Sequence, residues 1–190
     1  MKIVSQNLTN YSFPIPNDSI YRINLAWVND LKELSQILDK HKIHQIFIDL
    51  PINRTKPPNN CYSIEDLIPI LKENKNIKYF AISNVNSKND IEKYIQLLPK
   101  EIAVVPKIES KEGVDNIQEI TNFLPYEEKV IMLDHDDLYS SLARAGASPL
   151  VFKEYFNKLV KYCNENKITL LRTIGVIFSD DEKRVTQYVR

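Results

Sequence analysis

Glu101-Ile-Ala-Val-Val-Pro-Lys-Ile-Glu-Ser-Lys-Glu-Gly113 carries two patterns in immediate succession. Its first part, Glu101–Ile108, is apolar, rich in β-branched residues and too short for a core helix, so it predicts a strand. Ser110-Lys-Glu-Gly then opens a helix. A strand handed straight to a helix is one βα unit of a parallel sheet. Lys107 and Glu109 interrupt the strand near its C-terminal end. They are two residues apart and therefore project to the same side.

The same grammar recurs along the chain. Strands are predicted at Tyr21–Ala26, Gln45–Leu50, Lys78–Val85, Lys129–Leu133 and Ile168–Phe178, with a weaker candidate at Lys2–Gln6. Helical patterns lie between them. Val28, Leu31, Leu34, Ile37 and Leu38 share one face, and further helices start at Ser63, Ser87 and Ser110. Ser63 and Ser87 each have an acid three residues on, the capping-box spacing. Ser148-Pro149 starts a fifth helix, with a stripe of Phe152, Tyr155, Phe156, Leu159, Val160 and Cys163. The alternation predicts an α/β fold, either a doubly wound sheet or a (β/α) barrel. A full eight-unit barrel needs roughly 200–250 residues. The expectation is therefore one domain over residues 1–190, a small or incomplete parallel TIM-like barrel.

Composition narrows the function classes. The 190 residues hold 25 Lys and Arg against 25 Asp and Glu, so no global basic field exists to hold nucleic acid or an anionic membrane. No 18-residue apolar run and no signal-peptide core is present, which predicts a cytoplasmic protein without a membrane span. Cys61 and Cys163 cannot form a disulfide framework or a Cys-rich zinc site and read as reduced thiols, with a single bridge left open. Three glycines leave no dinucleotide-binding or P-loop motif.

Polar residues gather where the strands end: Arg22 and Asn24, Asp49 and Arg54, Ser83 and Asn84, Lys107 and Glu109, Asp134-His-Asp-Asp137, and Arg172 and Thr173. In parallel βα folds, that edge carries function. A charge there is costly unless paired or bound. Glu109 and one of the 134–137 aspartates suit Mg²⁺ or Mn²⁺, hard ions that favour oxygen ligands. Lys107 beside them suits stabilisation of an enolate or a transferring phosphoryl group. Plainer readings stand beside these: a solvated acidic turn, a Lys107–Glu109 pair, a rim salt bridge for Arg22, and structural roles for His41 and His44 at a helix end.

The stretch Val105-Pro-Lys-Ile-Glu-Ser-Lys-Glu-Gly-Val-Asp-Asn-Ile-Gln-Glu-Ile120 is similar to a segment of the barrel domain of pyruvate kinases. Tyr21-Arg-Ile-Asn24, Asp49-Leu-Pro-Ile-Asn-Arg-Thr55, Tyr79–Val85, Val130–Leu138 and Lys161–Thr173 resemble further segments of that domain, in order, over roughly residues 20–176. The resemblance implies a catalytic role for Lys107, with Thr173 beside the reacting carbon and Arg22 on phosphate. It implies divalent-metal ligation by Glu109 and Asp137, and substrate or phosphate contacts for Arg54 and Ser83. Asn24 and Asp49 correspond to ligands of a monovalent cation, K⁺, although Ala26 stands where the family has a serine. His135-Asp136 replaces the family's Arg-Gly, and about ten residues, Lys56–Glu65, stand where the family carries an inserted lid domain. Arg184–Val189 is the remaining candidate for an eighth strand.

The same motifs also resemble the wider pyruvate/phosphoenolpyruvate-binding superfamily, which includes pyruvate aldolases and proteins like the citrate lyase β-subunit. Ile108-Glu-Ser and Asp134–Leu142 carry that likeness. Three functions follow as expectations. The first is a Mg²⁺- or Mn²⁺-dependent, pyruvate-kinase-like transferase acting on phosphoenolpyruvate or the pyruvate enolate. The second is a nucleotide-independent carbon–carbon lyase, an aldolase or decarboxylase acting on a 2-keto acid. The third is an inactive barrel that serves as a binding protein. A homo-oligomer is compatible with each, because incomplete closure leaves sheet edges for a second copy to cover.

Overall fold

A computed structural model describes residues 3–6, 15, 17–53 and 57–172. Seven strands appear there: β1 (Ile3–Ser5), β2 (Ile20–Asn24), β3 (Gln45–Leu50), β4 (Ile77–Ile82), β5 (Ala103–Ile108), β6 (Val130–Leu133) and β7 (Thr169–Arg172). All neighbours pair in parallel, and the spatial order is the sequence order. A doubly wound sheet would reverse direction at a switch point. None occurs among the described strands, which removes the doubly wound alternative. Right-handed crossovers in one direction keep placing helices on the same face, and the sheet curls.

Seven α-helices connect the described strands: α1 (Leu31–Lys40), α2 (Ile64–Glu73), α3 (Asn89–Leu97), α4 (Lys111–Asp115), α5 (Ile117–Phe123), α6 (His135–Arg144) and α7 (Pro149–Glu165). Most begin on a side-chain cap. Asp30, Ser63, Ser110, Asp134 and Ser148 each accept a backbone N–H of the first turn. Such a cap contributes about 1 kcal/mol.

Ser87 departs from the predicted capping role. The Asp90 carboxylate takes the backbone N–H groups of Asn86 and Ser87 and the Ser87 hydroxyl, so the acid organises the turn and α3 starts at Asn89. Cys61 is exposed, Cys163 is buried, and both are free thiols. Burial pushes the Cys163 thiol up to about 12, which leaves it unreactive at neutral pH. No helix among the described residues is long and apolar enough to cross a membrane.

The two faces of the sheet follow the two-residue period of a strand. Ile23, Ile48, Phe80, Ile82, Val104, Ile131 and Leu133 face the helices and form the main core. Ile20, Phe47, Ala81, Val105 and Met132 form a second apolar layer on the other face. Burying a large side chain of this kind contributes about 1.5–3 kcal/mol. Two residues further along the same five strands stand Arg22, Asp49, Ser83, Lys107 and Asp134. The period therefore places a polar layer directly on an apolar one, at the C-terminal edge of the sheet.

Candidate functional site

Lys107 is the hub of this polar layer. Its ammonium lies 2.8 Å from Glu109 Oε1 and 3.5 Å from Asp49 Oδ1, and donates to Ser83 Oγ at 3.0 Å. Lys107, Asp49, Glu109 and Ser83 are all buried. Burial alone would lower the lysine pKa, but Asp49 and Glu109 outweigh it and hold the group above its ordinary value. Lys107 is thus a fixed cation at neutral pH. A Schiff-base role, which needs the neutral amine, is disfavoured by that environment.

Arg22 reaches Asp49 from the neighbouring strand. Nε donates to Asp49 Oδ2 at 3.1 Å, and a terminal nitrogen binds the same oxygen. Asp49 is fully buried. Desolvation would raise its pKa, but Lys107 and Arg22 overcome that and keep it below the usual carboxylate range. Arg22 is in turn held above its usual value, because Asp49 overcomes the effect of burial. The rim salt bridge is therefore present, between strands whose register pairs Asn24 with Asp49.

Glu109 is gripped at both oxygens. Oε1 faces Lys107, and Oε2 accepts the backbone N–H of Asn84 at 2.6 Å. Its pKa is nevertheless raised, because burial outweighs both contacts. Nearby, Asp134 caps α6 by accepting the Asp137 N–H. That first turn brings one oxygen of each of Glu109, Asp134 and Asp137 within 4.8 Å of one another. Asp136, between them in sequence, is exposed and outside this cluster. The donor set is all carboxylate, which fits a hard divalent cation.

Charge balance points the same way. Lys107 and Arg22 stand against Asp49, Glu109, Asp134 and Asp137, so two negative charges are in excess when all six are ionised. One divalent ion would neutralise the site.

The remaining predicted residues fall as follows. Asn24 Oδ1 accepts the Ala26 N–H and caps the 3₁₀ turn Leu25–Trp27, so that oxygen already serves the protein. Arg54 and Thr173 lie outside the described residues, as does the eighth-strand candidate Arg184–Val189. Arg172 leaves the cluster: its guanidinium sits 5.9 Å from the Phe156 ring, where His135 also packs. A shallow depression lined by Gln45, Lys78, Glu101 and Glu128 opens at the opposite, N-terminal edge and includes none of the predicted residues.

Sequence reasoning names Asp134 among the candidate aspartates without choosing it, and names Asn84 at a strand end without its backbone contact to Glu109. Asp134-x-x-Asp137 did carry a readable signal, since an Asx cap with an acid three residues on marks a helix start. The Asn84 contact arises from a left-handed backbone (φ 56°) and has no comparable signature.

No family model matches the chain, and no curated protein matches it. Among solved structures, RipC from Yersinia pestis is similar in fold. It superposes with a TM-score of 0.57 over 85% of this chain and 72% of that one, at 18% sequence identity. At that identity the likeness is one of fold.

Proposed function

We propose that the chain is a divalent-cation-dependent enzyme that stabilises the enolate of a 2-keto acid, in a half-barrel related to the pyruvate/phosphoenolpyruvate superfamily. The observation that carries this reading is the Glu109, Asp134 and Asp137 cluster beside a buried, permanently charged Lys107. Mg²⁺ or Mn²⁺ held there would supply Lewis-acid charge to the substrate carboxylate and to the keto oxygen as it becomes an enolate oxygen. Lys107 adds a preorganised positive charge on the same side. Ser83 and Asp49 fix its position, and Arg22 holds Asp49.

Within this reading, carbon–carbon bond cleavage is favoured over phosphoryl transfer. A neutralised site accepts a small keto acid more easily than a phosphoenolpyruvate carrying about three charges, and both cations are already engaged by carboxylates. For a β-carboxylated 2-keto acid, the bond to the departing carboxylate breaks and carbon dioxide leaves. The electron pair enters the enolate, and a solvent proton completes pyruvate. No nucleotide takes part. Phosphoryl transfer remains the second reading, supported by Arg22 and Lys107 lying in one network.

The test is calorimetric titration with oxalate, a mimic of the pyruvate enolate, with and without Mg²⁺, on wild type and Glu109→Gln. Magnesium-dependent binding that the variant loses is the expected result. A folded wild type that ignores millimolar oxalate would leave the cluster as scaffold and turn the search to protein partners. Pyruvate release from oxaloacetate without nucleotide then selects the lyase over the kinase.

A further inference from the structure

Glu109 is aimed by a neighbouring loop as well as by its own strand. That loop, residues 83–87, is tied down at each step. Asn84 Nδ2 donates to the Ile52 carbonyl at 2.7 Å, reaching the segment after β3. The Val85 N–H donates to the Lys107 carbonyl at 3.2 Å. Asn86 is held by the Ser110 hydroxyl on its side chain, and its carbonyl accepts from Asn116 Nδ2 at 2.8 Å. Between these ties Asn84 adopts a left-handed backbone (φ 56°), a conformation that asparagine tolerates better than most residues. The result is a backbone N–H directed at Glu109 Oε2, 2.6 Å away.

We propose that Asn84 is a positioning residue: through its left-handed backbone and its latch to Ile52, it fixes the carboxylate of Glu109 and thereby sets the divalent-cation affinity of the site. The inference rests on the metal reading above for its consequence, but not for its geometry. Groups that orient a ligating carboxylate typically change metal affinity by about 10–100-fold when removed. The Asn84 side chain is exposed and does not belong to the metal cluster.

Two variants separate the parts of the claim. Asn84→Gly loses the latch but keeps the N–H and adopts positive φ freely. Asn84→Ala loses the latch and resists positive φ. Mn²⁺ affinity, read by electron paramagnetic resonance at fixed pH, is expected to weaken on the order of 10-fold in Asn84→Ala, and most of that loss is expected to be recovered in Asn84→Gly. A metal-free readout accompanies it. The Asn84 amide proton, bound to a carboxylate, is expected far downfield in wild type and shifted upfield in Glu109→Gln.

Wild-type Mn²⁺ affinity in Asn84→Ala would overturn the proposal, as would a lowered melting temperature with unchanged affinity. If wild type itself binds no Mn²⁺, the enolate reading fails. The positioning claim is then decided by the amide resonance alone: it stands if that resonance moves in Glu109→Gln and falls if it does not.

Discussion

Lys107 and Glu109 sit two residues apart on one strand end, and their side chains meet at 2.8 Å with both groups buried. The pair is unequal. Lys107 gains enough from Asp49 and Glu109 to stay charged, whereas burial leaves Glu109 with a raised pKa despite its two partners. We predict that Lys107→Met lowers stability at pH 7 by about 3 kcal/mol, the scale for stranding a buried charge. With a folded-state pKa above the unfolded value of 4.5, Glu109 favours the folded state most when protonated, and loses that contribution as pH rises through the folded pKa. Removing Lys107 takes away the contact that lowers the Glu109 pKa, so Glu109 is raised further in the variant, which gains more on acidification than the wild type. The deficit should therefore shrink toward pH 5. Urea melts at the two pH values read this directly. Pyruvate release should vanish in the same variant while Mn²⁺ still binds; a folded variant that loses the metal as well would sink the role given to Lys107.

Asparagine substitutions can resolve the three aspartates of the α6 start. Asn caps a helix about as well as Asp, so Asp134→Asn keeps α6 while removing a charge from the cluster. Mn²⁺ affinity should fall at least on the order of 10-fold in Asp134→Asn and in Asp137→Asn. It should stay within about twofold in Asp136→Asn, where an exposed carboxylate outside the cluster is lost. Equal losses in all three would mean that the metal senses only diffuse charge, and the ligand assignment would be wrong.

The sheet was legible because its signal is a period. Short β-rich runs separated by amphipathic segments located all seven described strands, and strand alternation put Lys107 and Glu109 on one side. The wrong part of the reading was local and had a physical origin. Only half of the Ser87 capping box forms: Asp90 reaches back to the Ser87 N–H, but the Ser87 hydroxyl donates to that same carboxylate and caps no N–H of α3. Helix α6 went unread because its charged first turn, His135-Asp-Asp137, resembles a solvated loop until Asp134 is recognised as a cap. The choice between doubly wound and sequential order depends on handed crossovers and long-range pairing, which no window of sequence contains.

Gly113 tests the support beneath the site. A Cβ added there would lie 2.6 Å from the Val85 carbonyl oxygen, a backbone atom in the loop that carries Asn84. Helix propensity favours alanine over glycine by about 1 kcal/mol, and overpacking opposes it by about 1–3 kcal/mol. The clash should win, because backbone held by several hydrogen bonds cannot swing aside as a side chain would. Gly113→Ala is expected to be net destabilising in thermal melts and to weaken Mn²⁺ binding through displacement of the loop. A stabilised variant would show that the loop yields, and that its rigidity was overstated.

His41 and His44 supply a prediction remote from the site. Both are buried after α1, and the His41 ring stacks on Tyr21 with centroids 3.7 Å apart. His41 Nδ1 and both ring nitrogens of His44 have no hydrogen-bond partner among the described residues. Burial first, then His44 and Lys40, push the His41 pKa below its ordinary value of 6.5. An imidazole with a depressed folded-state pKa is neutral in the fold and takes up a proton more readily when unfolded. Its contribution is fully present above pH 6.5 and is lost as pH falls from there toward the folded value. Stability should therefore decline on acidification within that window. Phenylalanine preserves the stack on Tyr21 and cannot be protonated, so His41→Phe should flatten this part of the curve. Denaturant midpoints measured from pH 8 to pH 5 on the two proteins decide the matter: parallel curves would show that the acid sensitivity arises elsewhere, whereas a flattened curve in the variant assigns it to His41.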